Sequence, residues 1–210
     1  AIQTSLTSQP TVKTNQLNGL TTMVFDGDND HLLGDYETAF NNDNFTIFLV
    51  KKQDSTDQST FYSTNADVGY NYLEISHFTQ SIGINTYTLF NEAATGTGYW
   101  LTGVEMSPST FEIYSVRFNS IDNSQASYDN GVYILDQTLH SRYKYDLDIV
   151  TKQLSNYIIG KRPGNNTTLN GEIAELIIFD QPLEDDEMIA IHAYLSKKWG
   201  LESIVDSDGD

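Results

Sequence analysis

Short β-type runs recur along the whole chain with turn residues between them, and this spacing constrains the fold more than any other feature. It is the pattern of a sandwich or barrel and excludes a helical bundle or a βαβ repeat. The runs fall at 22–25, 45–51, 73–78, 87–90, 110–118, 132–135, 157–159 and 173–179. Between them, Asn18-Gly19, Asp26-Gly27, Asp129-Asn130-Gly131 and Asn170-Gly171 supply residues that tolerate positive φ, as hairpin and bulge turns require.

One helix is expected near the C-terminus, over 183–199. Glu184, Asp185, Asp186 and Glu187 open it and Lys197 and Lys198 close it, so both ends complement the macrodipole. Pro182 precedes it, and Gly200 is placed for a left-handed cap. Met188, Ile191, Leu195 and Trp199 form a stripe at helical spacing, which predicts packing onto the core. No internal repeat and no long linker divides the 210 residues, so residues 1–203 read as one domain and 204–210 as an acidic tail.

Charge sets limits on partners. Against 11 basic residues stand 29 acidic ones, a formal net charge of -18 without a basic stripe, which excludes nucleic acid as a natural partner. Self-repulsion of that size makes bound divalent cations a natural expectation. The absence of cysteine rules out disulfides and thiolate zinc sites. The apolar runs are strand-sized, so no membrane insertion is expected.

Three segments resemble the laminin-G/concanavalin-like jelly rolls of large bacterial surface proteins. The first is Gln16-Leu-Asn-Gly-Leu followed by Met23-Val-Phe-Asp-Gly27 and Asn29-Asp-His-Leu32, and the second is Asn44-Phe-Thr-Ile-Phe-Leu-Val50. The third joins Tyr157-Ile-Ile-Gly160 through Asn170-Gly-Glu-Ile-Ala-Glu-Leu-Ile-Ile-Phe-Asp180 to Tyr194-Leu-Ser-Lys-Lys-Trp-Gly200. The resemblance implies an all-β, two-sheet antiparallel jelly-roll sandwich with one C-terminal helix. Such domains usually carry an opening stretch with a tryptophan-bearing strand ahead of the Asn18-Gly19 region. Here those strands are expected either from a separate segment or beyond a domain boundary.

Sites are read from the residues. The hydrolases of this fold that cleave β-glucans use Glu-x-Asp-x-x-Glu on a strand; Glu172-Ile-Ala-Glu175 is the nearest match, and strict alternation would put its two glutamates on opposite faces. The four histidines, His31, His77, His140 and His192, are scattered and match no catalytic motif. Hard oxygen ligands gather in Asp26-Gly-Asp-Asn-Asp30, so Asp28, Asp30 and Asp26 are candidate Ca2+ ligands, although Asp26 also suits capping of backbone amides. The tail residues Asp206, Asp208 and Asp210 alternate like the opening of an Asp-x-Asp-Gly-Asp calcium repeat. Tyrosine is plentiful, 13 in all, and Tyr99, Trp100, Tyr143, Tyr145, Tyr70 and Tyr72 are candidates for stacking on a sugar face.

These readings converge on a non-catalytic, extracellular module for calcium-supported adhesion, binding a glycan or peptide on a cell surface or matrix beside neighbouring domains of the same polypeptide. A calcium-stiffened spacer without a ligand and a polysaccharide hydrolase or lyase are the alternatives.

Overall fold

The computed structural model describes residues 1–41, 44–55, 57–64, 72–80, 83–91, 98–101, 108–119, 124–134, 153–162 and 167–206. Among them, two antiparallel sheets carry the fold. The larger has seven strands in the order β1 (Thr11–Leu17), β2 (Leu20–Asp26), β13 (Asn170–Phe179), β4 (Asn44–Gln53), β9 (Glu112–Asn119), β10 (Ser124–Asp129) and β11 (Val132–Ile134). The smaller has six, in the order β3 (Leu32–Asn41), β12 (Gln153–Ile159), β5 (Ser59–Thr64), β6 (Tyr72–Gln80), β7 (Gly83–Asn91) and β8 (Gly98–Leu101). This is the jelly-roll sandwich expected from the sequence.

Strand β4 shows why. Its odd positions, Phe45, Ile47 and Leu49, join Phe25, Phe61, Tyr62, Ile75, Tyr114, Val116 and Phe118 in the core between the sheets. Its even positions Phe48 and Val50 face the other way and meet Ile113, Leu183, Met188, Leu195 and Trp199 under the helix α1 (Asp185–Trp199). A strand covered on both faces needs apolar residues without interruption, and the run 45–50 holds only Thr46 as an exception. The Thr46 hydroxyl is used: it donates to the Gln181 carbonyl at 3.0 Å and accepts from the Leu183 N–H at 2.9 Å, seating the entry to the helix.

Helix α1 begins two residues later than the sequence suggested, because Glu184 is extended (φ -71°, ψ 163°) and serves as the N-cap. The Glu187 carboxylate accepts the Glu184 N–H at 2.8 Å, half of a capping box. Arg117 of β9 pins the same end, donating to the Leu183 carbonyl and pairing with Asp185, both at 2.7 Å. At the other end Gly200 adopts φ 68° and its N–H returns to the Ser196 carbonyl. The stripe Met188, Leu195 and Trp199 is buried, with Ile191 packed beside it.

Two hairpins use the turn chemistry read from the sequence. Leu17 pairs with Leu20 and Asp129 with Val132, and the two-residue turns between them have positive φ throughout: Asn18 47°, Gly19 74°, Asn130 49° and Gly131 85°. Asn170-Gly171 is different and corrects the expectation of a turn there. Gly171 lies inside β13 without positive φ, and a Cβ on it would stand 2.2 Å from the Lys52 carbonyl oxygen, so close approach of β13 to β4 requires the glycine.

The packed chain also runs past residue 203. Val205 is buried against the helix-side core, and the Asp206 N–H donates to the Asn130 carbonyl at 2.7 Å. The apolar side chain of Val205 closes the end of that core, so residues 204–206 belong to the domain.

Candidate functional site

Among the described residues, a buried polar constellation lies on the side of the six-stranded sheet away from the inter-sheet core. Glu74 of β6 has no exposed surface, yet it sits beside Ile75, a core residue, and alternation turns it away from that core. One carboxylate oxygen accepts the hydroxyls of Thr60, at 2.7 Å, and of Ser76. The other lies 3.1 Å from Arg162 Nε in an ion pair without hydrogen-bond alignment. The Thr60 and Ser76 oxygens lie 3.1 Å apart, and Ser63, opposite Glu74 on β5, donates to the Lys161 carbonyl at 2.8 Å. Burial pushes the Glu74 carboxyl up, against the opposing pull of Arg162 and the two hydroxyls.

Pairing explains how Glu74 and Arg162, far apart in sequence, meet. β12 runs antiparallel to β5 with Ile159 opposite Tyr62 and Ile158 opposite Ser63, and the chain leaving β12 carries Arg162 back across β5. β6 then follows β5 with Ser63 opposite Glu74. Nothing local in the sequence announces Arg162. The alternation Tyr72, Glu74, Ser76, a carboxylate at the centre of an apolar run, is the one signal that could have pointed to this face.

The register places one of the aromatic candidates, position 100, in the cross-strand row of Glu74. Position 100 of β8 pairs with Leu89, which pairs with Glu74, so Trp100, Leu89, Glu74, Ser63 and Ile158 occupy one cross-strand row. Position 72 lies two residues before Glu74 on the same strand, opposite position 91 of β7. Position 99 pairs with position 90 and belongs to the neighbouring row. Tyr70, Tyr143 and Tyr145 lie outside the described residues.

The Asp26–Asp30 turn uses its carboxylates on itself. Asp26 Oδ1 accepts the N–H groups of Asp28 at 2.9 Å and Asn29 at 3.3 Å, and Asp30 Oδ2 accepts the Asp26 N–H at 3.1 Å. Asp28 Oδ2 accepts from the Asn29 side chain at 3.1 Å. The backbone bonds hold Asp26 below the usual carboxylate range despite the desolvation that opposes them; burial pushes Asp30 up. His31 joins the same turn to the N-terminal segment, with Nδ1 on the Asn29 carbonyl and Nε2 on Gln3 Nε2, both at 2.8 Å. Among the described residues no three acidic, histidine or cysteine side chains gather as a metal site would need. Of the tail candidates, Asp206 is tied through its backbone to the β10–β11 turn, and Asp208 and Asp210 lie outside the described residues.

Glu172 and Glu175 stand on the same face of β13, not on opposite faces. Glu172 pairs with Lys52, Ile173 with Lys51 and Glu175 with Val50, so Ala174 is an extra residue, a bulge that resets the alternation. Both carboxylates are occupied structurally. Glu172 accepts from Thr22 and from Lys52, the latter at 2.7 Å, and these bonds hold its carboxyl low against desolvation. Glu175 accepts from Lys198 at 2.7 Å and from the Trp199 indole at 2.6 Å, tying the helix to the sheet.

A second buried charge cluster lies between the sheets. Lys51 Nζ meets Glu112 at 2.8 Å and stands 5.2 Å over the Phe61 ring, and Asp129 lies on β10, opposite Tyr114 of β9. Burial and the Glu112 charge raise Asp129 to about 6, with Lys51 pulling the other way.

No family model and no curated protein matches the chain. Solved structures do. A heptameric SAP-like pentraxin from Limulus polyphemus is 14% identical with a TM-score of 0.59, over 80% of this chain and 79% of that one. The CBM40 of a Ruminococcus gnavus IT-sialidase, solved with α2,3-sialyllactose, is 16% identical with a TM-score of 0.58, over 87% and 98%. Domain 4 of AbnA, a GH43 extracellular arabinanase from Geobacillus stearothermophilus, solved with arabinotriose, is 17% identical with a TM-score of 0.61, over 85% and 79%. At these identities the likeness establishes the jelly-roll fold.

Proposed function

We propose that the chain is a non-catalytic carbohydrate-binding module, and that its sugar site is the outer face of the six-stranded sheet around Arg162 and Glu74. The observation that carries the reading is the part-exposed Arg162 guanidinium, held against the fully buried Glu74 carboxylate, which Thr60 and Ser76 fix from within, beside the row that runs to position 100 of β8. A sugar needs such a combination, fixed polar groups for its hydroxyls and a ring for its apolar face. The two sugar-bound modules that share the fold support the same reading. A binding role also suits Glu172 and Glu175, whose carboxylates are already committed to lysine, threonine and tryptophan.

The test is a glycan array that includes arabino-oligosaccharides and sialyllactose, followed by calorimetry on the best ligand. Arg162→Ala is expected to weaken binding about tenfold or more, and Trp100→Ala by about 0.5–1.5 kcal/mol, the worth of one ring contact. Incubation with polysaccharides is expected to release no reducing ends. An array without any bound sugar would move the chain to the spacer reading, and unchanged affinity in Arg162→Ala would place the sugar elsewhere.

We further propose that calcium supports the module, a reading that rests on the acid surplus rather than on the geometry of the Asp26–Asp30 turn. A compact body of net charge -18 gains stability from bound divalent cations by mass action. Millimolar calcium is therefore expected to raise the melting temperature by several degrees over excess chelator at matched ionic strength. Coincident melting curves would remove calcium from the proposal. Among the described residues no helix is long and apolar enough to cross a membrane.

A further inference from the structure

The larger sheet extends beyond the smaller one at the β1 side, and an apolar wall is left uncovered there. Val12 pairs with Met23, a residue packed against the inter-sheet core, so Val12 is on the inward side of β1. It is nevertheless 63% exposed, because the opposing sheet stops at β3. Beneath it a cavity of about 260 Å³ opens between Met23, Leu32, Ile159, Ile173 and Leu176. An inward-facing valine over an apolar cavity is a core position without its cover.

The edge that would carry the cover already accepts one. Ile2 forms an antiparallel bridge to Leu33 of β3, with N–H to carbonyl bonds of 2.6 and 3.0 Å, and the His31 N–H donates to the Ser8 carbonyl at 3.1 Å. This contact is short and seats little apolar surface, since Ile2 is 73% and Leu6 85% exposed. Beyond Leu33, β3 has no strand on its outer side among the described residues.

We propose that this face is a strand-addition site: an extended polypeptide segment, apolar on alternate residues and neutral or basic between them, docks along β3, covers Val12 and fills the cavity. The charge pattern selects this occupant. None of the 29 acidic residues lies within residues 1–25, and Glu175, the one acidic residue lining the cavity, is already held by Lys198 and Trp199, so covering β1 and β2 up to Phe25 strands no carboxylate, whereas the exposed Asp35 of β3 favours lysine on the incoming strand. A second copy is disfavoured, since two bodies of net charge -18 would meet edge to edge. Backbone pairing would supply affinity and the alternate apolar side chains specificity.

The test uses a fluorescein-labelled synthetic strand that alternates valine and lysine around one central tryptophan, read by anisotropy against the intact chain. Saturable binding is expected, lost when prolines replace alternate residues and so remove ladder N–H groups. Val12→Asp is expected to weaken it about tenfold or more, Val12→Thr less, while Val132→Asp on the far edge leaves it unchanged. Melting curves confirm that each variant is folded. Equal binding of the proline peptide, or full affinity in Val12→Asp, overturns the proposal. So does sedimentation showing that the chain alone dimerises and that Val12→Asp abolishes the dimer.

Discussion

Trp199→Ala is expected to lower the free energy of unfolding by about 3–5 kcal/mol, the range for removing a large buried aromatic side chain. The ring is 4% exposed and packs with Leu195, Leu201 and Val205 against the outer face of the larger sheet, where Phe48, Val50 and Ile113 need cover. Its indole N–H also holds Glu175 at 2.6 Å, so truncation leaves a partly buried carboxylate with Lys198 alone. Trp199→Phe separates the two contributions: it keeps most of the packing and loses the hydrogen bond, worth about 1–3 kcal/mol when one partner is left behind. Urea unfolding at pH 7 measures both, with the slope expected to stay constant. A loss below about 1 kcal/mol in Trp199→Ala would mean that the helix is dispensable to the fold and that the outer core is not a main source of its stability.

How much of this was legible in the sequence depends on whether the deciding interaction is local. Strands β4, β9 and β13 are visible because apolar residues repeat at the strand period, and the helix because its caps and stripe agree. β5, Ser-Thr-Phe-Tyr-Ser-Thr, escapes the pattern because four of its six residues are hydroxyl-bearing without an aromatic ring, although Thr and Tyr favour strands and here their side chains serve the Glu74 network or the core. The Ala174 bulge leaves no mark either. A one-residue insertion is specified by how β13 must meet β4, and it reverses the facing deduced for Glu175. Trp100 can be nominated from composition, but its place in the cross-strand row of Glu74 depends on the pairing of β8, β7 and β6. Arg162 illustrates the limit: its partner is set by a β12–β5 pairing that no spacing rule contains.

Two buried groups are expected to give opposite pH dependences that partly cancel in the wild-type protein. His192 lies under the helix with 2% exposure, 3.0 Å from the Ser115 hydroxyl and against the rings of Phe48 and Tyr128. Burial lowers its pKa to about 4, outweighing the Met188 backbone hydrogen bond and the Asp206 charge. The folded value is below the unfolded 6.5, so the neutral ring contributes its full stability above pH 6.5 and loses it as pH falls toward 4, an effect of about 3 kcal/mol. Asp129 works the other way. Its folded pKa of about 6 exceeds the ordinary 3.8, so its contribution is complete below 3.8 and is lost as pH rises through 6. Comparing each variant with the wild type cancels every other titration. Asp129→Asn is expected to be more stable than wild type at pH 7.5 and level with it at pH 4, which steepens the acid loss. His192→Leu is expected to cost stability at pH 7.5, through the lost Ser115 bond, and to gain on the wild type as pH falls from 6.5 to 4. Parallel urea-midpoint profiles for wild type and His192→Leu would show that the ring takes up its proton freely in the fold, and the packing described around it would be wrong.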